Sequence, residues 1–130
     1  MKNKVLDHFT KDFVSLGKNG EITAFEGGDD FWNLPAEKLD EIGQNWLITE
    51  FDFEQDWTTW EMHSHGEEIV YLLAGAMDLT IEKEGVRQTI ELRSKGLAII
   101  PRNTWHTAKV LKPSKMLVIT FGKETQIKPV

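Results

Sequence analysis

The sequence contains no cysteine among its 130 residues. This absence excludes disulfide bonds, thiolate zinc sites and cysteine nucleophiles together. The chain also lacks a long apolar run, because even its first twenty residues mix lysine, aspartate and histidine with apolar side chains. Neither a signal peptide nor a membrane-spanning segment is therefore predicted, and we expect a cytoplasmic protein without a membrane partner.

Basic residues are also scarce. Lysine and arginine number 15 against 21 acidic residues, which gives a net charge of −6. No basic stripe interrupts this balance, so we expect neither nucleic acid nor an anionic membrane as a partner. The length is that of one domain with a single core, and we predict one domain over residues 1–130.

From residue 45 onward, apolar and polar residues alternate with the period of two that is typical of strands. Eight short strands are predicted, over residues 45–53, 58–63, 69–73, 77–81, 86–92, 97–100, 105–111 and 116–121. Hairpin-length links separate them and carry turn residues, for example Ala74-Gly75 and Pro113-Ser114. The pattern predicts an all-β antiparallel sandwich or barrel and excludes a parallel α/β fold.

The first 44 residues are less regular. Five apolar residues recur there at spacings of three and four, namely Val5, Leu6, Phe9, Phe13 and Leu16. This spacing favours a short amphipathic helix, with an arm or an edge strand as the alternative. Residues 20–26 alternate like a strand, and residues 35–42 could form a short helix with Pro35 in its first turn.

Two histidines, His63 and His65, stand two residues apart at the end of a predicted strand. Side chains two apart in a strand point to the same face, so both imidazoles can aim at one point. Glu67 and Glu68 follow directly, and a returning strand could bring His106 alongside. Imidazole nitrogens with a carboxylate oxygen suit a divalent Fe, Mn, Ni, Cu or Zn ion. The alternative to a metal site is a His-x-His pair that arose by chance or that lies at the surface.

The same stretch resembles a known motif. His63-Ser-His65-Gly-Glu67-Glu68, followed by six residues and then Gly75, resembles the first motif of the cupin superfamily. In that motif, three or four residues separate the second histidine from the glutamate. Only two residues separate His65 from Glu68 here, so Glu67 stays open as an alternative carboxylate ligand.

The segment from Gly96 through Pro101 to His106 resembles the second cupin motif. Asn103 takes the place of the usual glycine, and asparagine tolerates the left-handed backbone conformation better than most residues. Cupins are small jelly-roll β-barrels. The resemblance therefore implies a jelly-roll barrel with its core at residues 45–121 and an N-terminal extension over residues 1–44.

The resemblance also implies a metal site with His63, His65, Glu68 and His106 as ligands. The function it implies is a metal-dependent enzyme acting on a small organic molecule, with a dioxygenase-type oxidation ranked above isomerase or lyase chemistry. Glu68 could then switch between ligand and catalytic base. A homodimer is expected, in which the N-terminal segment packs on the neighbour or pairs with it. The alternative is a non-catalytic barrel that binds a sugar or another metabolite, with a structural or vestigial metal site.

Overall fold

The computed structural model describes residues 12–27, 31 and 33–130. Within these ranges, nine strands and one helix follow one another. The strands are β1 (Asp12–Leu16), β2 (Ile22–Glu26), β3 (Trp46–Phe53), β4 (Thr59–Met62), β5 (Glu68–Lys83), β6 (Val86–Arg93), β7 (Leu97–Ile100), β8 (Trp105–Phe121) and β9 (Gln126–Pro129). The helix, α1 (Ala36–Gly43), lies between β2 and β3.

The two long strands, β5 and β8, pair with each other along most of their length and belong to both sheets of the barrel. The first half of β5 and the second half of β8 form one sheet in the order β2-β1-β3-β8-β5-β7. The other halves form the second sheet in the order β9-β4-β8-β5-β6. All pairs are antiparallel, and the predicted all-β jelly-roll barrel is confirmed.

The predicted turns at Ala74-Gly75 and Pro113-Ser114 are wrong, because both segments lie inside continuous strands. The register between β5 and β8 shifts at this point, where Ala74 pairs with Lys115 and Ala76 with Lys112. Gly75 has a φ of 101°, so the strand bulges and bends instead of reversing. A proline is tolerated at such a bend because the ladder is already interrupted there.

The core fills the space between the two sheets. Its buried members include Val70, Leu72, Met77, Leu79 and Met116. A second, smaller cluster of Phe13, Phe31 and Ile42 attaches α1 to the sheet that contains β1 and β3. The rings of Phe13 and Phe51 meet edge to face with centroids 5.7 Å apart, which joins the small cluster to the barrel wall.

The predictions for the first 44 residues have mixed outcomes. Asp12–Leu16 is a strand, so the strand alternative holds there, while Val5, Leu6 and Phe9 lie outside the described residues. The strand over residues 20–26 and the helix over residues 35–42 are confirmed, but Pro35 caps α1 and is not inside its first turn. Strand β9 was not predicted. No helix within the described ranges is long and apolar enough to cross a membrane.

Candidate metal centre

Four ionisable side chains from β4, β5 and β8 converge inside the barrel. Glu61 and His63 are two residues apart at the end of β4, and Glu61 pairs directly with His106 on β8. Glu68 opens β5, where its cross-strand neighbour is Thr120. Because these strands run side by side through the barrel wall, their inward residues meet at one level.

The distances between these groups are short. The two carboxylate oxygens of Glu68 lie 2.9 Å from His63 Nε2 and 3.1 Å from His106 Nε2. Glu61 Oε2 lies 3.9 Å from His106 Nε2. The ligand atoms of Glu61, His63 and His106 all lie within 4.8 Å of one another. The arrangement brings Glu61 and two imidazoles within reach of a single ion, and the carboxylate of Glu68 lies against both imidazoles.

The two imidazoles leave buried polar atoms without proper hydrogen bonds. Neither His63 Nε2 nor His106 Nε2 has a hydrogen-bond partner among the described residues, although oxygens of Glu68 lie close to both. The Glu68 oxygens are therefore within hydrogen-bond distance of both Nε2 atoms, but the angles are unsuitable for a hydrogen bond. Buried polar atoms are normally satisfied, and two such atoms side by side fit a ligand that both could bind.

The opposite ring nitrogens fix the tautomers of both histidines. His106 Nδ1 lies 3.2 Å from the carbonyl oxygen of Thr104, which can only accept, so Nδ1 carries the proton. His63 Nδ1 lies 2.9 Å from Thr125 Oγ1, whose own proton is donated to the carbonyl of Gly122. His63 Nδ1 is therefore also a donor. In each neutral ring the lone pair is on Nε2 and points toward the cluster, as metal ligation requires.

The electrostatics of the cluster shift the pKa values of its two carboxyl groups in opposite directions. Burial opposes ionisation of Glu68, but its contacts with His106 and His63 outweigh burial and hold its pKa well below the usual range. Thr120 Oγ1 also donates to Glu68 at 2.6 Å. Burial and the negative charge of Glu68 raise the pKa of Glu61. Burial would lower the pKa of His106, but contact with Glu68 raises it overall.

His65 does not lie with the other predicted ligands. Its Nε2 is 2.7 Å from Glu124 Oε2, and both side chains are well exposed, at 40% and 65%. The contact with His65 holds the pKa of Glu124 below its usual range. Glu67 is exposed as well. The structure therefore brings His63, Glu68 and His106 together and leaves His65 at the surface.

Glu61, which was not among the predicted ligands, lies beside His63 and His106, where His65 was expected. A signal for it is present in the sequence, because the motif can also be read from a position two residues earlier, with a glutamate in place of its first histidine. Glu61 then stands at the first histidine position and His63 at the second, with four residues before Glu68 and six more before Gly75. This reading restores the spacing that is usual in cupins.

A cavity of about 800 Å³ opens onto the cluster. Glu61, His63 and Glu68 form part of its wall, and residues of α1 line it as well. Its aromatic and aliphatic lining comes mainly from β3, β8 and the segment after β3, with Phe51, Phe53, Trp57, Met116 and Val118. The ring of Trp57 lies 6.1 Å from that of His106, centroid to centroid. A volume of this size accommodates a drug-sized organic molecule.

Comparison with solved structures identifies the fold. The chain is similar to an oxalate oxidase in complex with the substrate analogue glycolate, with a TM-score of 0.55 and 18% identity over 65% of this chain and 46% of that chain. A cupin superfamily protein from Desulfitobacterium hafniense is similar with a TM-score of 0.50 and 24% identity, over 58% of this chain and 65% of that chain. The chain has the cupin fold.

A third similar structure is the hydroxypropylphosphonic acid epoxidase from S. wedmorenis, with a TM-score of 0.51 and 12% identity. That match covers 58% of this chain and 42% of the epoxidase chain. This cupin-fold chain thus spans less than half of the oxalate oxidase and epoxidase chains that it matches. No protein-family model matches the sequence, and neither does any curated protein.

Proposed function

We propose that this cupin-fold chain is a metal-dependent enzyme that acts on a small organic molecule. Its divalent metal ion is held by Glu61, His63, Glu68 and His106. The observation that carries the proposal is the pair of buried Nε2 atoms, on His63 and His106, that lack hydrogen-bond partners beside two carboxylates in the wall of a large cavity.

The donor set fits a first-row transition metal. Two neutral imidazoles with carboxylate oxygens suit divalent Fe, Mn, Ni, Zn or Cu, whereas calcium and magnesium prefer all-oxygen sites. The donor set does not select among these ions. One structural neighbour, Fe(II)-HppE with an alternative substrate, is named as an iron protein. Four protein ligands also leave coordination positions open for a substrate oxygen.

When bound, the metal would supply Lewis acidity and a binding point for substrate oxygens. Thr104 and Thr125 hold the two imidazole rings in orientation. Glu68 is buried, accepts a hydrogen bond from Thr120 and lies against both imidazoles, which suits a fixed ligand. Glu61 keeps 37% of its side-chain surface exposed and lines the cavity, so it has better access than Glu68 to a substrate proton.

For the reaction itself, we rank an oxidation ahead of isomerase or lyase chemistry. Two of the structural neighbours are, by name, an oxidase and an epoxidase. The identity of the bound metal tests this ranking, because an oxidation needs an ion that can change its oxidation state.

The first test is elemental analysis of the purified protein beside His63→Ala and His106→Ala. We expect close to one transition-metal ion per wild-type chain and loss of most of it in both variants, because each substitution removes a ligand. A wild-type protein that is free of metal and cannot be reconstituted would contradict the proposal. The non-catalytic binding module would then become the better interpretation of the cavity.

The predicted homodimer is also part of the proposal, and an apolar row on the outside of one sheet supports it. Ile48 pairs with Ile119, Ile119 with Ile69, and Ile69 with Ile99, so the four side chains share one face. Ile99 is 60% exposed, and Leu97 on the same strand is 58% exposed. A face of this kind can pack against its own copy across a two-fold axis.

Ile99→Glu should convert a dimer into a monomer, because a carboxylate would be buried in the contact. Sedimentation equilibrium would show a fall from twice the chain mass of 14.9 kDa to the chain mass itself. Val86→Glu is the control, since Val86 is 70% exposed on β6, in the other sheet. A wild-type protein that sediments as a monomer would disprove the dimer.

A further inference from the structure

The charged side chains that line the cavity are all acidic. They are Asp40, Asp56, Glu61, Glu68 and Glu124. Among the described residues, no lysine or arginine lines the cavity. Lys123 lowers the pKa of Glu124 but is not part of the lining. Proteins that bind carboxylate or phosphate ligands use such cations to pair with them, and this cavity offers none.

The metal proposed for the site does not supply the missing positive charge. A divalent ion has a charge of +2, and the two carboxylates of Glu61 and Glu68 neutralise it, whereas His63 and His106 add nothing when neutral. A centre with one carboxylate and neutral histidines would instead keep a net positive charge. An anion that enters this cavity would therefore lose its hydration without gaining a cationic partner.

The rest of the wall is suited to an apolar molecule. Aromatic and aliphatic side chains face the cavity from three sides: Leu39 and Ile42 on α1, Phe51 on β3, and Val118 on β8. Most of the remaining polar groups in the lining are uncharged, and the hydroxyl of Thr49, for example, can donate to or accept from a neutral polar group. Apolar walls with a few neutral polar groups are typical of sites for uncharged organic ligands.

We propose that the substrate of this site is an uncharged, largely apolar, ring-sized molecule that presents a neutral oxygen to the metal. Small carboxylic acids such as glycolate are excluded from that role by the charge of the site. This inference rests on the proposed metal-dependent function, and it differs from the ligand named for the oxalate oxidase neighbour.

A matched pair of probes tests the proposal. 1-Naphthamide and 1-naphthoate have nearly the same shape, but only the second is an anion at pH 7. Isothermal titration calorimetry on the metal-loaded protein should show that the amide binds at least about tenfold more tightly, because the anion gains no counter-charge on burial. Glycolate should give no measurable binding. Equal or tighter binding of naphthoate or glycolate, or binding of neither naphthyl compound, would overturn the proposal.

Two variants on α1 separate the effect of the cavity from that of net charge. Asp40 and its neighbour Glu41 are both exposed, but only Asp40 lines the cavity. Asp40→Lys should raise the affinity for naphthoate about threefold, and Glu41→Lys, with the same change in net charge, should leave it unchanged. Equal effects of the two variants would mean that the cavity charge does not select the ligand.

The same titrations on metal-free protein distinguish this inference from the proposed function. Glu61 and Glu68 remain when the metal is removed, so the preference for the amide over naphthoate should persist. If elemental analysis finds no metal but the preference is observed, the metal proposal fails and the ligand class stands. If metal is bound and naphthoate is preferred, the ligand class fails and the metal site stands.

Discussion

Glu61→Gln is expected to lower the affinity for metal by at least about 100-fold, while His65→Gln leaves it nearly unchanged. Glutamine replaces a charged ligand oxygen with a neutral amide oxygen of similar size, so the main change at residue 61 is the loss of charge. His65 pairs with Glu124 at the surface, where an ion pair contributes little. Competition with a chromogenic chelator would measure both affinities.

Glu61→His provides a matched rescue for this experiment. It places an imidazole at the first ligand position of the cupin motif, and we expect it to retain metal within about tenfold of wild type. Circular dichroism and the unfolding midpoint show whether each variant is folded. If His65→Gln loses the metal and Glu61→Gln keeps it, the ligand set is instead His63, His65, Glu68 and His106.

Gly75→Ala is expected to lower the free energy of unfolding by about 2–4 kcal/mol. Gly75 has a φ of 101°, which an alanine adopts only with strain. A Cβ atom there would also collide with the hydroxyl of Ser114 and lie 2.5 Å from the carbonyl oxygen of Pro113. Both obstacles lie at the bend of β8, which cannot move without disturbing its pairing with β3. Urea denaturation of the metal-free protein measures the change.

Gly85→Ala is the control for the backbone conformation alone. Gly85 has a φ of 79° in the turn between β5 and β6, and a Cβ atom there would have no neighbour within 4 Å. We expect a loss of only about 1 kcal/mol from this substitution. Equal losses in the two variants would show that the close approach of β5 and β8 at Gly75 adds nothing to the backbone strain.

Much of the fold could be predicted from local patterns. Strands β3, β6 and β7 lie within a residue of their predicted bounds, because alternation and turn residues are recorded in the sequence itself. Asn103 takes the place of the usual glycine, and its φ of 60° shows that it adopts the left-handed conformation expected there. Strand β9 was not predicted because it has only four residues, all of them exposed, and Ile127 is its one large aliphatic side chain. Its pairing with β4 defines it.

Two decisions needed the tertiary structure. Gly75 and Pro113 mark breaks in the pattern, but a break can reverse a strand or bend it. Here the partner strand runs on past the break, so β5 and β8 bend from one sheet into the other. Whether β5 and β8 continue past the break depends on their pairing with each other, and the residues around Gly75 or Pro113 alone do not determine it.

The second decision concerns the ligands. By itself the sequence determined an all-β barrel and a cluster of histidines and carboxylates around His63, and its His-x-His pattern pointed to His65, two residues after His63, and not to Glu61, two residues before it. Only the tertiary structure decided between them, because β4 ends at Met62 and the alternation of side chains no longer applies to the bend that carries His65. Glu61, still on the strand, is held opposite His106 by cross-strand pairing.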